Sequence, residues 1–443
     1  MRKLSIVLFC GLLSVAAPAA AQSGDDSSQF LLRATAADAP IIAARHNLTI
    51  VGEVTDAAGV TMYLVAPAVE RSDLAAELDD DSTITSFERN HSVRIPEAIH
   101  PRLSQSTAAI LETLPDRTIV PYYGRSVWRG YMNQPAAVLI NADKVHALAV
   151  TGGGVVAVID TGIDVAHPAI AGAIVPGYDF IRNQGAITSD LAGVSQSTAA
   201  ILEAQTVGEP MRTALVNQST AAILEQSTAA ILEAEGLPAA FGHGTMVAGL
   251  VRLVAPTAKI MPLTAFTADG AGDVFDVVRA IYYAVDHGAN VINMSFSLAD
   301  WSAELVRAIN YATEHDVICV ASAGNNGEET LVFPSAFRHV IGVGSSTNLD
   351  RRSLFSNYGN GLVQLAAPGE SLITSFPAGR YAAVSGTSFS AALVSGAAAL
   401  IEQVKPGIEP NNAQEALSRA KRMGQDMGEG RLDLLAAIQR AMK

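Results

Sequence analysis

Gly386-Thr387-Ser388-Phe389-Ser390-Ala391-Ala392 sets a serine among small residues at the head of an apolar stretch that runs to about Val404. Ala, Val, Leu and Gly fill that stretch nearly all round, the composition of a helix buried on every side. A serine in its first turn faces the positive end of the helix dipole and amide donors that no carbonyl of the helix reaches. Negative charge building on a carbonyl oxygen is stabilised there, so the place suits a nucleophile. An ordinary helix cap reads the same way, and this stretch alone does not separate the two.

Two upstream stretches do. Val155-Val156-Ala157-Val158-Ile159-Asp160-Thr161-Gly162-Ile163-Asp164 is a buried-strand pattern running into a glycine turn, with Asp160 at the strand's carboxyl end. In open α/β sheets that edge is where sites are built. Gly242-His243-Gly244-Thr245-Met246-Val247-Ala248-Gly249 puts a histidine at the head of a second small-residue helix. The chain order Asp, His, Ser and all three local contexts resemble the subtilisin family of serine proteases. A fourth segment, Val317-Ile318-Cys319-Val320-Ala321-Ser322-Ala323-Gly324-Asn325-Asn326-Gly327, resembles the family's strand that ends in an oxyanion-hole asparagine.

The resemblance implies a role for each residue. Ser388 would attack a peptide carbonyl, His243 would move the proton, and Asp160 would hold the imidazole. Asn325 and the backbone amide of Ser388 would receive the oxyanion. Asp160 is preferred over Asp164, which lies past the glycine turn. Gly270-Ala271-Gly272 and Ser295-Phe296-Ser297 resemble the edges that pair with an extended substrate. Ser295, Phe296, Gly324 and Val332 would surround the first specificity pocket. The sequence departs from the family at Met246, at Ala392 and at Ala169, where a structural-calcium ligand is often an aspartate. No cofactor is implied for catalysis, no metal ligand is assigned, and a structural calcium is left in doubt.

Among 443 residues, 49% are hydrophobic and 16% charged, enough for a large core and a second small domain. A formal net charge of −14 argues against nucleic acid or an anionic membrane surface as partner. Met1-Arg2-Lys3, an apolar run from Leu4 and Ala19-Ala20-Ala21 read as a secretory signal peptide over 1–21. No later stretch is expected to span a bilayer, so the expectation is a secreted protein without a membrane anchor. Cys10 leaves with the leader, and Cys319 falls in a buried-strand pattern as an inert core residue, so no disulfide is expected.

Residues 28–95 alternate strand and helix signals in the order βαββαβ, a ferredoxin-like α+β unit. It resembles the inhibitory propeptide of many subtilisin-like proteases, with its tail near Ser92–Glu97 in the active-site cleft. Mixed prolines, glycines and aromatics over 96–132 read as a linker. From 133 to 443 strands alternate with helices, which implies a parallel sheet covered on both faces, a subtilisin-like α/β fold. One helix is expected over Ala136–Ala149 and a strand over Leu362–Ala366.

Gln-Ser-Thr-Ala-Ala-Ile-Leu-Glu occurs four times, at 105–112, 196–203, 218–225 and 226–233. Eight residues match neither a helical face nor a heptad, since successive copies rotate by about 80°. Three copies lie in an insertion over 183–240, which separates Asp160 from His243 by 83 positions. The favoured reading is a secreted serine endopeptidase made as a self-processing zymogen, with protein or peptide substrates and its own propeptide as intramolecular inhibitor. The alternative is a non-catalytic binding or assembly protein that uses the octapeptides on the same scaffold.

Overall fold

The computed structural model describes residues 28–56, 59–69, 72–95, 116–185 and 237–443. The expected leader, all four octapeptides, positions 96–115 of the expected linker and most of the 183–240 insertion lie outside them.

Apolar residues at every position of Phe30–Ala34 except Arg33 suit a strand covered on both sides, and this strand, β1, is buried throughout. It is followed by α1 (Ala39–Arg45), β2 (Leu48–Thr55), β3 (Thr61–Pro67), α2 (Leu74–Asp79) and β4 (Ser86–Arg89). The four strands form an antiparallel sheet in the order β2-β3-β1-β4, the ferredoxin-like arrangement. Phe30, Leu32 and Ala34 pack with Ile42, Leu74 and Leu78 of the two helices. Leu31, Met62 and Leu64 point the opposite way, into the core of the larger domain. The period of two along a strand sorts these side chains, so the small sheet has an inner face and a docking face.

β5 (Ser92–Arg94) leads away from the small sheet. Beyond 116 come a hairpin, β6 (Ile119–Tyr122) and β7 (Arg125–Trp128), and then α3 (Arg129–Met132). The described part of the expected linker is therefore packed structure. Trp128 and Tyr131 are buried, Trp128 stacks on Tyr381 at 4.7 Å, and the Tyr131 hydroxyl donates to the Gly249 carbonyl at 2.7 Å. Aromatic residues without period looked like a loop because their partners are far away in sequence. The single helix expected over Ala136–Ala149 is two, α4 (Pro135–Leu139) and α5 (Ala142–Ala147), broken where Asn141 adopts a left-handed φ of 64°.

The large sheet is built on β8 (Val155–Asp160), with β9 (Tyr178–Asp179), β10 (Lys259–Thr264), β12 (Val291–Met294), β13 (Ile318–Ser322), β14 (Val340–Ser346) and β15 (Leu365–Pro368). Its seven strands run parallel in the order β15-β14-β13-β12-β8-β10-β9. The strand expected over Leu362–Ala366 thus begins later, at Leu365. The short β11 (Ala271–Asp273) stands outside the sheet, and a hairpin that the sequence did not disclose, β16 (Leu372–Phe376) with β17 (Arg380–Val384), follows it.

Val156 and Val158 lie in one core with α6 (His243–Val254) and α9 (Thr387–Val404). Ala157 and Ile159 lie in the other, with α7 (Val274–Asp286) and α8 (Ala303–Glu314). A near-continuous apolar strand is what a sheet buried on both faces requires. Helices α10 (Pro410–Leu417) and α11 (Leu434–Ala441) close the chain around α9. By length and composition α9 could cross a membrane, contrary to the sequence expectation, yet 89% of it is buried inside the protein. Cys319 sits buried in β13, where desolvation pushes its thiol up to about 12 and removes its reactivity.

The docking face of the small domain meets the first turns of α7 and α8. Glu88 accepts hydrogen bonds from Ser302 Oγ at 2.5 Å and from the Ala303 amide at 2.7 Å. Asn90 Oδ1 accepts from the Phe275 amide, and the His91 carbonyl accepts from the Val274 amide, each at 3.1 Å. These are orphan amides of helix N-termini, supplied with acceptors from another domain. Burial pushes the Glu88 carboxyl up, and the bonds from Ser302 and Ala303 oppose that rise.

Beside it Arg33 Nε reaches Glu304 Oε2 at 2.7 Å and Arg33 Nη1 reaches Asp56 at 3.2 Å. Arg33 and Glu304 are only 4% and 2% exposed. Arg33→Met leaves Glu304 with Arg307 and the Ser86 hydroxyl. Removing one partner of a buried pair costs about 3–5 kcal/mol, and the remaining arginine places this case near the lower figure. In uncleaved protein the urea midpoint should fall accordingly, with exchange of the β1 amides rising first. An unchanged midpoint would show that the pair contributes nothing to docking.

Candidate active site

Asp160 ends β8 at the carboxyl edge of the sheet and is buried. Its Oδ1 accepts from the Thr161 amide at 2.8 Å, and its two carboxylate oxygens lie 2.8 and 2.9 Å from His243 Nδ1. A carboxylate can only accept, so Nδ1 carries the proton and Nε2 is the basic nitrogen. His243 opens α6. The next residue has to be glycine, because a Cβ on Gly244 would stand 2.0 Å from the Gly162 carbonyl oxygen. That contact lets the helix start close against the turn after Asp160.

Asp164 takes no part in this pair. Its carboxylate accepts from the Ala166 and Ala378 amides at 3.0 and 2.9 Å, tying loops together.

Ser388 is the second residue of α9, buried, with Phe389 next to it lying 5.4 Å from the imidazole of His243, centroid to centroid. Its hydroxyl donates to the Ser295 carbonyl at 3.2 Å. Asn325 follows β13, and its Oδ1 accepts from both the amide and the hydroxyl of Thr387 at 2.9 Å. Thr387 Oγ1 in turn accepts from the Gly324 amide at 3.1 Å. Thr387 therefore fixes the flip of the Asn325 carboxamide, with Nδ2 as its donating end. Sequence reading passed over Thr387, although a hydroxyl directly before the serine was the available signal.

The residues read as substrate edges lie on either side of β5. Ala271 pairs with Arg94 and Gly272 with Val93 in antiparallel register, and Gly270 O accepts from the Ile95 amide at 3.1 Å. On the opposite side Ser297 and Arg94 exchange both backbone bonds, at 2.9 and 3.2 Å. Val93 and Ile95 are buried.

Two side chains assigned to the pocket point elsewhere. Ser295 Oγ donates to the Ser388 carbonyl at 3.0 Å and accepts from Asn293 Nδ2 at 2.8 Å, while Ser395 Oγ donates to Asn293 Oδ1 at 2.9 Å. Phe296 packs on Phe266 inside the core at 5.1 Å. Both side chains are fully buried, so at both positions backbone rather than side chain is left to face a peptide. Val332 Cγ2 lies 3.7 Å from the position a Cβ on Gly324 would take, so the two residues are neighbours.

Among the described residues no group of three or more His, Cys, Asp or Glu side chains is placed to hold an ion. Ala169 is packed in the apolar core, and its side chain offers no oxygen to an ion.

A family model described as the subtilase family matches residues 151–434, which takes in β8, α6, β13 and α9. The chain belongs to the subtilase family. This subtilase is 34% identical over 266 residues to a thermophilic serine proteinase of Bacillus sp. (strain AK1), covering 60% of this chain and 56% of that one. To subtilisin BL of Lederbergia lenta it is 34% identical over 174 residues, 37% of this chain and 64% of the relative. The chain thus spans less than two thirds of the length of these relatives. With thermitase of Thermoactinomyces vulgaris it shares 29% identity over 314 residues, 68% of this chain and 94% of thermitase. The crystal structure of fervidolysin from Fervidobacterium pennivorans, a keratinolytic enzyme related to subtilisin, superposes with a TM-score of 0.68. It is 21% identical and covers 95% of this chain and 62% of that one, a likeness of fold.

Proposed function

We propose that this subtilase is a secreted serine endopeptidase, made as a zymogen that cuts itself after residues 28–95. The observation that carries the reading is the buried Asp160–His243 pair beside a helix whose first turn presents Ser388. Ser388 Oγ attacks the carbonyl carbon of a peptide bond while His243 Nε2 takes its proton. The oxyanion is received by Asn325 Nδ2 and the Ser388 amide. The C–N bond breaks as His243 returns the proton to the leaving amine, and water then hydrolyses the ester by the same route. Asp160 keeps the imidazole in its tautomer and stabilises the imidazolium.

The zymogen reading is supported by β5, whose backbone bonds use both edges that an extended substrate would need. Export is supported by the basic and apolar leader over 1–21. A serine-directed fluorophosphonate tests the enzyme directly: processed wild type should be labelled and Ser388→Ala should not. Absence of labelling in the wild type, or equal labelling of both, would sink the reading in favour of a binding protein on the same scaffold.

The pocket wall gives a second expectation. With Val332 beside Gly324, Leu, Met or Ala before the cut bond is expected to be preferred to Phe or Tyr, with Lys and Arg poor. One methylene in such a pocket changes discrimination by about 1–3 kcal/mol. Val332→Gly should move a peptide-library cleavage profile toward aromatic residues, and an unmoved profile removes Val332 from the site.

A further inference from the structure

Asn357 is buried in the loop after β14 and has no part in the chemistry above. Its own amide donates to the Gly324 carbonyl at 3.0 Å. Its side-chain Oδ1 accepts from the Asn326 amide at 3.0 Å and from the Glu328 amide at 3.2 Å. The Gly324 carbonyl belongs to the peptide group before Asn325, and the Asn326 amide belongs to the peptide group after it. One residue thus holds both peptide planes that flank the Asn325 Cα, which fixes the two backbone dihedrals on which its side chain swings.

The grip is close. Gly324 has a φ of 89°, and a Cβ there would stand 2.6 Å from Asn357 Nδ2. The loop is bonded further along as well, Gly327 N to Phe355 O at 2.6 Å and Tyr358 N to Glu328 O at 3.1 Å. On the other side Thr387 holds the carboxamide itself.

We propose that Asn357 is a positioning residue for the oxyanion site: it holds the backbone on both sides of Asn325, so that Nδ2 meets the oxyanion in the transition state. The proposal rests on the endopeptidase reading. A donor helps only where the charge develops, so loosening it should lower turnover without weakening substrate binding. An Asn325 that has lost its backbone support should behave as a partly absent one.

The test is a double-mutant cycle in the full chain with Asn357→Leu, Asn325→Ala and the pair, read as kcat and KM on one peptide substrate. Asn357→Leu is expected to lower kcat by roughly 10–50-fold with KM within about 3-fold, and Asn325→Ala by about 10²–10³-fold, a range measured for a subtilisin asparagine. In the pair, Asn357→Leu should add less than about 3-fold to the loss from Asn325→Ala. Full multiplication of the two losses, or a loss in KM alone, overturns the proposal and leaves a structural role. Asn357→Asp keeps an oxygen on both loop amides and should lose less kcat than Asn357→Leu, so it reads out the grip if the leucine variant folds poorly. Equal losses for Asp and Leu would also overturn it. Failure of the endopeptidase reading is distinguished by an inactive wild type.

Discussion

Ser388→Ala is expected to leave the chain uncut after removal of its leader, whereas wild type loses residues 28–95. Only Oγ is removed, from a buried position whose hydrogen bond goes to a backbone carbonyl, so folding should survive. Peptidase turnover should fall by about 10⁶-fold, a figure that belongs to subtilisin rather than to this chain. The cut should lie beyond Ile95 and before Asn133. β5 runs antiparallel to the edge at Ser297, so its C-terminal end is directed toward Ser295, whose carbonyl accepts from Ser388. Mass spectrometry of the two purified proteins reads the result. The same fragment from both would assign the cutting to another protease.

Asp160→Asn should be the next most damaging change. The Thr161 amide donates to Oδ1, so an asparagine would place its oxygen there and turn its NH₂ toward His243 Nδ1. Nδ1 must then accept, the ring proton moves to Nε2, and the base that should receive the serine proton is lost. The corresponding change in a chymotrypsin-type triad lowers kcat by about 10⁴-fold, and a loss of that order is expected near neutral pH. KM should move little, since no substrate edge is touched. A loss smaller than about 10-fold would mean that Asp160 does not set the tautomer.

The sheet and the four short motifs were legible because each is local. A run such as Val155–Asp160 declares a strand buried on two faces, and Gly244 follows His243 because the helix start touches the Gly162 turn. What stayed hidden depends on contacts distant in sequence. Thr387 and Asn357 act on Asn325 from 62 and about 30 positions away, and no periodicity marks them. Ser295 and Phe296 were read as pocket residues because their segment lies on the cleft. Which way each side chain points is settled by partners distant in sequence, the Ser388 carbonyl for Ser295 and Phe266 for Phe296. Trp128 and Tyr131 looked like linker for a similar reason, since the hairpin at Tyr381 that covers them had no clear signal of its own.

The small domain's sheet is covered on one face by its own helices and on the other by the enzyme it precedes. Separation would turn Leu31, Met62 and Leu64 to water together with an arginine that has lost Glu304, in a domain small enough to be marginal alone. Its native state therefore draws on the surface it occupies. If residues 28–95 are cut away as proposed, a fragment that leaves that surface should open more often and offer its strands to the peptidase. Under the zymogen proposal, release would be a one-way step, from a folded inhibitor to a digestible substrate.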